Sequence, residues 1–146
     1  MNNIVLSITS TQETEDNSET AQFISEGKYR ESSDKIELIY DESVTTGMDG
    51  ITTTLTVHNG GCVTVERSGG LYGGLTIEAG KRHLCRYSTE YGDFTVGICG
   101  ERVESKLDGC NGYIYLQYSV DINSGLLSRN KMEIQIREDE TSCHPL

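Results

Sequence analysis

The residues whose chemistry is most informative lie in one short stretch, Lys81 to Gly92. At a two-residue period, one face of this stretch carries groups able to exchange protons or hydrogen bonds: His83, Cys85, Tyr87, Thr89 and Tyr91. Arg82 and Arg86 share the other face. Side chains of a β-strand alternate between two faces, so the first set is predicted to line an interior and the arginines to meet water. Such a wall is more polar than a packed core requires, which favours a site for a polar ligand.

Arg67 allows two interpretations of this predicted interior, one structural and one functional. Alternation places Arg67 on the inward face of its strand and Glu42 on the inward face of another. A buried charge is stable only when it is paired or bound. One interpretation is an internal pair between Glu42 and Arg67 that fixes strand register. The other makes Arg67, helped by His83 and tyrosine hydroxyls, a recognition site for an anion-bearing ligand, because a guanidinium offers paired donors to carboxylate or phosphate.

The candidate ligand-binding residues are the inward-facing polar side chains of four segments. They are Tyr40, Glu42, Arg67, His83, Tyr87, Thr89 and Tyr118. We predict no catalytic residue, metal ligand or cofactor. His83 and Cys85 start about 7 Å apart on a strand, whereas a nucleophile and its base need to be about 3 Å apart. A Cys–His dyad is therefore not expected, and an enzyme is the class that these residues support least.

Period-2 alternation recurs along almost the whole chain and predicts about ten strands. Consecutive turns without a long amphipathic helix indicate an all-β, antiparallel up-and-down β-barrel of about 8–10 strands, with a β-sandwich as the alternative. Thr11 to Glu19 is interpreted as a polar connection, and Val103 to Leu107 fits either a strand or one helical turn. We expect a single barrel domain over residues 1–138 and a flexible C-terminal tail over 139–146.

Charge and cysteine content limit the classes of partner. The 12 basic and 23 acidic residues give a net charge of −11, which repels phosphate backbones and argues against nucleic-acid binding. No apolar run approaches the roughly 20 residues that span a bilayer, and no secretory signal is visible. The five cysteines are scattered without CxxC spacing, which argues against zinc and a disulfide scaffold. We expect a cytoplasmic protein with free thiols, as a monomer or homodimer.

Four segments carry a resemblance to a known family. They are YDES (40–43), TTGMDGITTTL (45–55), ERSGG (66–70) and GKRHLCRYSTEYG (80–92). In this order they resemble the YwiB-like family of small uncharacterised bacterial proteins, and similar stretches extend from the first strand to about Ile136. The resemblance implies a calycin-like, lipocalin-like β-barrel and no assigned activity.

The function predicted from these observations is a binding module. It would hold a small polar or anion-bearing ligand in the lumen or mouth of the barrel, where inward-facing polar groups collect. The alternative is a structural or interaction protein with a filled barrel that acts through its outer surface or a dimer face.

Overall fold

Ten β-strands make up the described chain. The computed structural model describes residues 2–41, 50–68, 74–89, 92–122 and 125–139, without the side chains of residues 87–89 and 93. The strands are β1 (Asn2–Glu13), β2 (Ser18–Glu31), β3 (Lys35–Asp41), β4 (Thr52–His58), β5 (Cys62–Ser68), β6 (Gly74–Glu78), β7 (Arg82–Thr89), β8 (Gly92–Asp108), β9 (Asn111–Ile122) and β10 (Gly125–Glu138). No described residue lies in a helix, so the described chain has no helix that crosses a membrane.

The strands form one antiparallel sheet in the order β6-β5-β4-β3-β2-β1-β10-β9-β8-β7. Every two consecutive strands are hydrogen-bonded to each other except β6 and β7, which form the two edges of the sheet, and β1 also pairs with β10, so the topology is up-and-down. The sheet curls until β6 meets β8, where Ala79 bridges Gly100. The Gly80 amide donates to the Gly100 carbonyl at 2.9 Å, and the Gly100 amide donates to the Lys81 carbonyl at 3.0 Å. The predicted all-β barrel is confirmed, and it is nearly closed at this contact, which we call the seam.

The core comes from the alternation that the sequence displays. Residues at every second position point inward, and Ile4, Leu6 and Ile8 on β1 are buried in this way. Direct cross-strand partners share this face, since Leu6 lies opposite Ile136 and Ile8 opposite Ile134. Burial of these aliphatic side chains, each contributing roughly 1.5–3 kcal/mol, stabilises the barrel and fixes the register of its strands.

The barrel has two different ends. One end, the hairpin end, is formed by the connections at 32–34, 59–61 and 109–110. Gly60, Gly61 and Gly109 have positive φ there, which glycine adopts without the steric penalty of a Cβ. The opposite end carries the 14–17 turn and the ends of strands that lead into residues outside the description.

The strand bounds show the outcome of two local predictions, for residues 11–19 and for residues 103–107. Thr11 to Glu19 is not a continuous connection, because β1 extends to Glu13 and β2 begins at Ser18. A short turn remains, in which the Thr14 amide donates to the Asn17 carbonyl at 2.8 Å. Ladder hydrogen bonds need only backbone groups, so polar residues continue the strands beyond the core. Val103 to Leu107 is strand, continuing β8 after a bulge next to Gly100.

Candidate functional site

A polar row crosses three neighbouring strands near the end opposite the hairpin end. Tyr40 on β3 lies directly opposite Thr53 on β4, and Thr53 lies opposite Arg67 on β5. Direct partners in antiparallel strands have side chains on the same face. Tyr40 and Thr53 are buried, at 3% and 0% exposure, and the Nε atom of Arg67 is buried as well. Tyr40 and Arg67 therefore occupy inward strand positions, and their role in ligand binding stays a prediction.

Tyr118 approaches this row from β9, on the other wall of the barrel. Its side chain is 8% exposed, and burial raises the pKa of its hydroxyl, while the positive charge of Arg67 acts in the opposite direction and lowers that pKa. The barrel thus brings the Arg67 guanidinium near enough to the Tyr118 phenol to lower its pKa, although 51 positions separate them in the sequence. Three of the predicted site residues, Tyr40, Arg67 and Tyr118, belong to one inner region.

Aromatic packing holds the β3 side of the row. The rings of Phe23 and Tyr40 lie 6.4 Å apart between centroids at an interplanar angle of 46°, within the range of favourable aromatic pairs. Tyr40 also lies opposite Gly27 on β2. A Cβ on Gly27 would stand 2.6 Å from the Ile39 carbonyl oxygen and 2.7 Å from Leu6 Cδ1. Glycine is needed at this position so that three strands can pack closely beneath the Tyr40 ring.

His83 takes part in a polar contact at the seam. Its partner across β7 and β8 is the buried Ile98, so its strand position is inward, as predicted. Its Nε2 lies 2.9 Å from Glu78 Oε1, and Lys81 Nζ lies 3.4 Å from the other oxygen of the same carboxylate. The hydrogen bond with His83 lowers the pKa of Glu78 below its usual value, against an opposing effect of burial. The His83 side chain thus joins the two strand edges that nearly close the barrel.

The remaining predicted site residues are placed only in part. Tyr87 and Thr89 lie on β7, where they pair with Phe94 and Gly92, and their side chains lie outside the description. Glu42 lies outside the described residues altogether. The proposed internal pair between Glu42 and Arg67 therefore stays a prediction.

An ion pair on the outer surface was not predicted from the sequence. Arg82 donates from Nε to Asp121 Oδ2 at 3.0 Å and from Nη2 to Oδ1 at 2.5 Å. These residues sit on β7 and β9, and the Arg82 side chain crosses the intervening β8 at Gly97, where a Cβ would lie 2.4 Å from Nη2. The hydrogen bond with Asp121 raises the pKa of Arg82 above its ordinary value. A glycine inside a strand pattern is the available sequence signal for such a close approach.

The described cysteines are free thiols in different surroundings. Cys62, Cys85, Cys99 and Cys110 are free, and Cys85 and Cys110 are buried. Burial raises the pKa of the Cys62 thiol, and the nearby Glu78 carboxylate adds to the effect, so its reactive thiolate form is disfavoured. Within the described ranges, no three metal-ligating side chains come together.

Comparison with known proteins agrees with the barrel. The ywiB protein from Bacillus subtilis, solved as a crystal structure, has a TM-score of 0.81 and 24% identity, over 94% of this chain and 92% of that chain. This likeness shows that the two proteins share their fold. A comparison with curated proteins found no match. The family model described as "Domain of unknown function (DUF1934)" matches residues 6–134. The predicted YwiB-like family is confirmed, and the chain belongs to the DUF1934 family.

Proposed function

We propose that this protein is a binding module whose barrel interior holds a small polar, anion-bearing ligand at Arg67. The observation that carries the proposal is the inward row of Tyr40, Thr53 and Arg67. Tyr118 on β9 lies near enough to this row for the charge of Arg67 to lower its pKa. An aliphatic floor lies beneath this row, including the fully buried Leu55. A site with a few convergent polar groups above an apolar floor is typical of small-molecule binding.

The choice of an anionic ligand follows from the chemistry of arginine. A guanidinium keeps its charge at all physiological pH values and presents donors in a planar fork that matches carboxylate or phosphate. Inside the barrel its attraction to an anion is screened less than at the surface. Tyr118 adds a hydroxyl that burial keeps protonated at neutral pH. Such a hydroxyl donates a hydrogen bond to an anion.

The competing explanation for Arg67 is the internal pair with Glu42. The variant Arg67→Met separates the two, because it keeps much of the aliphatic stem and removes the charge. If Arg67 serves a ligand, the variant should fold with nearly unchanged stability in the absence of ligand. If Arg67 neutralises Glu42, the variant should lose about 3–5 kcal/mol, because it leaves a buried charge without its partner.

The experiment is a thermal-shift titration with small carboxylates and phosphate esters. The wild-type melting temperature should rise with the concentration of a ligand that binds the folded state. Arg67→Met should abolish that rise, whereas the matched control Arg129→Met, which changes an exposed arginine of β10, should retain it. A panel in which Arg67→Met and wild type respond alike to every anion would refute the proposal.

A second candidate function uses the outer surface. Ile24 and Tyr113 are 73% and 43% exposed, and both line one groove of about 390 Å³ on the outside of the barrel. Exposed apolar side chains that share a groove favour contact with a partner or a second copy. This candidate expects a melting temperature that rises with protein concentration and loses this dependence in Ile24→Lys.

The compartment proposed for either function is the cytoplasm. The four described cysteines are free, and thiols stay reduced where glutathione and thioredoxin maintain a reducing environment. Recovery of disulfide-linked protein from cells lysed under thiol-blocking conditions would contradict this assignment.

A further inference from the structure

A second cleft lies at the hairpin end of the barrel, away from the row at Arg67. Its volume is about 380 Å³. The cleft exists because β8 is longer than its neighbour β7. The first residue of β7, Arg82, lies opposite Cys99, so β8 continues past that end of β7 without it. Beyond the seam, the segment from Arg102 to Asp108 pairs with β9 alone among the described strands. The barrel wall therefore stays open beside this half of β8.

The floor of the cleft is apolar and comes from both walls. Ile36, Val57 and Val63 line it from β3, β4 and β5, and Val103 and Leu107 line it from β8. All five occupy inward positions of their strands, yet only Val63 is fully buried. Partly exposed aliphatic side chains that face inward leave apolar area to be covered. A ligand with an apolar body would remove that area from water, at about 25 cal/mol per Å².

The rim of the cleft carries cationic and hydrogen-bonding groups. Lys35 and His58 are direct cross-strand partners at the ends of β3 and β4, and both line the cleft. Lys35 makes no ion pair with any residue in the described ranges. His58 Nε2 contacts Thr64 Oγ1 at 3.2 Å, which leaves Nδ1 for another contact. Gly60 and Gly61 complete this side of the rim, where a Cβ built on either glycine would meet no other atom within 4 Å.

One acidic residue, Glu31, also lines the cleft, and its position decides how close its negative charge lies to Lys35 and His58. Glu31 accepts a hydrogen bond from the Tyr29 hydroxyl at 2.9 Å. That bond holds the Glu31 carboxylate on the β2 side of the cleft. The Lys35–His58 pair belongs to the next two strands, beside the glycines of the 59–61 turn. The basic side chains of the cleft therefore lie along the β3–β4 part of the rim.

We propose that this cleft is a second binding site, for a small molecule with an apolar body and one anionic group, such as a medium-chain carboxylate. The apolar body covers Val57, Val103 and Leu107, and the anion lies between Lys35 and His58. The volume of about 380 Å³ is near the lower end of the roughly 300–1,000 Å³ seen for ligand pockets, which selects compact ligands. The cleft shares no residue with the row at Arg67. Ligand binding in the cleft is therefore independent of ligand binding at Arg67.

The test is an NMR titration of the isotope-labelled protein with octanoate, and with octanamide as the uncharged analogue. Octanoate should shift the amides of Ser33, Val57, Gly60 and Leu107 in a saturable way. The double variant Lys35→Met/His58→Gln should weaken octanoate at least about tenfold, as expected for the loss of a charge-assisted contact. It should leave octanamide affinity within about twofold, since an uncharged head group does not use the cation.

Two further variants keep the test decisive. Ser105 lies exposed on the cleft side of β8, so Ser105→Trp should fill the cleft and abolish binding of both compounds while the spectrum stays that of the folded barrel. Lys131→Met removes an exposed cation of β10 and should change nothing. The proposal is overturned if octanoate causes no saturable shifts, if the shifts cluster around Arg67, or if the double variant affects both compounds equally.

Discussion

Gly100 and Glu78 approach so closely at the seam that a Cβ on Gly100 would stand 2.3 Å from the carbonyl oxygen of Glu78. It would also stand 2.6 Å from the Glu78 carbonyl carbon. The hydrogen bonds that Gly100 makes with Gly80 and Lys81 hold the backbones in this arrangement. Closure of the barrel therefore depends on the absence of a side chain at position 100.

Gly100→Ala is expected to destabilise the protein by about 1–3 kcal/mol, the usual cost of overpacking a rigid contact. The atoms in the way belong to the backbone and move only if β6 moves away from β8. Urea denaturation measures the change in the free energy of unfolding.

Gly97→Ala on the same strand is the matched control. There the atoms in the way are the end of the flexible Arg82 side chain, which can turn aside at the expense of its ion pair with Asp121. Arg82 is 43% exposed, and an exposed pair contributes less than about 1 kcal/mol. Equal losses in the two variants would contradict the assignment of the seam to a backbone contact.

The Glu78–His83 contact predicts an acid-dependent part of the stability. The hydrogen bond lowers the pKa of Glu78 below 4.5 in the folded state. A lowered pKa means that the unfolded chain binds the proton more readily, so stability is present above pH 4.5 and is lost as the pH falls through the folded-state pKa. The urea midpoint of wild type should therefore fall between about pH 5 and 3, and this fall should be smaller in His83→Gln and Glu78→Gln. Parallel curves for all three proteins would exclude the contact as a source of acid sensitivity.

Most of the fold follows from the sequence because a single physical rule governs it. Alternation alone places Leu38, Leu116 and Ile134 in the core, since each strand has one face in water and one in the interior. The same rule places Tyr40, Arg67 and Tyr118 inside. It requires only the local sequence, which is why an up-and-down barrel is readily predicted.

Alternation along single strands does not predict the Glu78–His83 contact at the seam or the Arg82–Asp121 ion pair on the outer surface. Glu78 meets His83 because the edge strands β6 and β7 come together where the sheet closes, and Arg82 meets Asp121 by crossing β8 at Gly97. The Arg82–Asp121 pair depends on which strands flank β8, and the Glu78–His83 contact depends on how the two edges of the sheet curl towards each other. That curvature arises from the twist of all ten strands together and is not encoded in the period of any one segment.

We expect ionisation of the buried Tyr118 to lower the stability of the folded protein at alkaline pH. Burial raises its pKa above 10 in the folded state, so stability is complete below pH 10 and declines as the pH rises towards the folded-state value. Tyr118→Phe should reduce this decline. Arg67→Met should raise the pKa of Tyr118 further, because the nearby positive charge lowers it in the wild type.

The measurement for this prediction is an ultraviolet phenolate titration, taken as the difference between each protein and Tyr118→Phe. The difference isolates Tyr118 from Tyr29, whose pKa is also raised by burial and by its hydrogen bond to Glu31. A Tyr118 transition that is unchanged in Arg67→Met would contradict the electrostatic contact between the two side chains.

Native mass spectrometry of the protein purified from cells shows whether a ligand is bound at Arg67. We expect a non-covalent adduct of small mass on the wild type and on Arg129→Met, and its absence from a folded Arg67→Met variant. An adduct that persists in Arg67→Met, or an adduct-free wild type that also shows no thermal shift with any anion, would contradict a ligand site at Arg67.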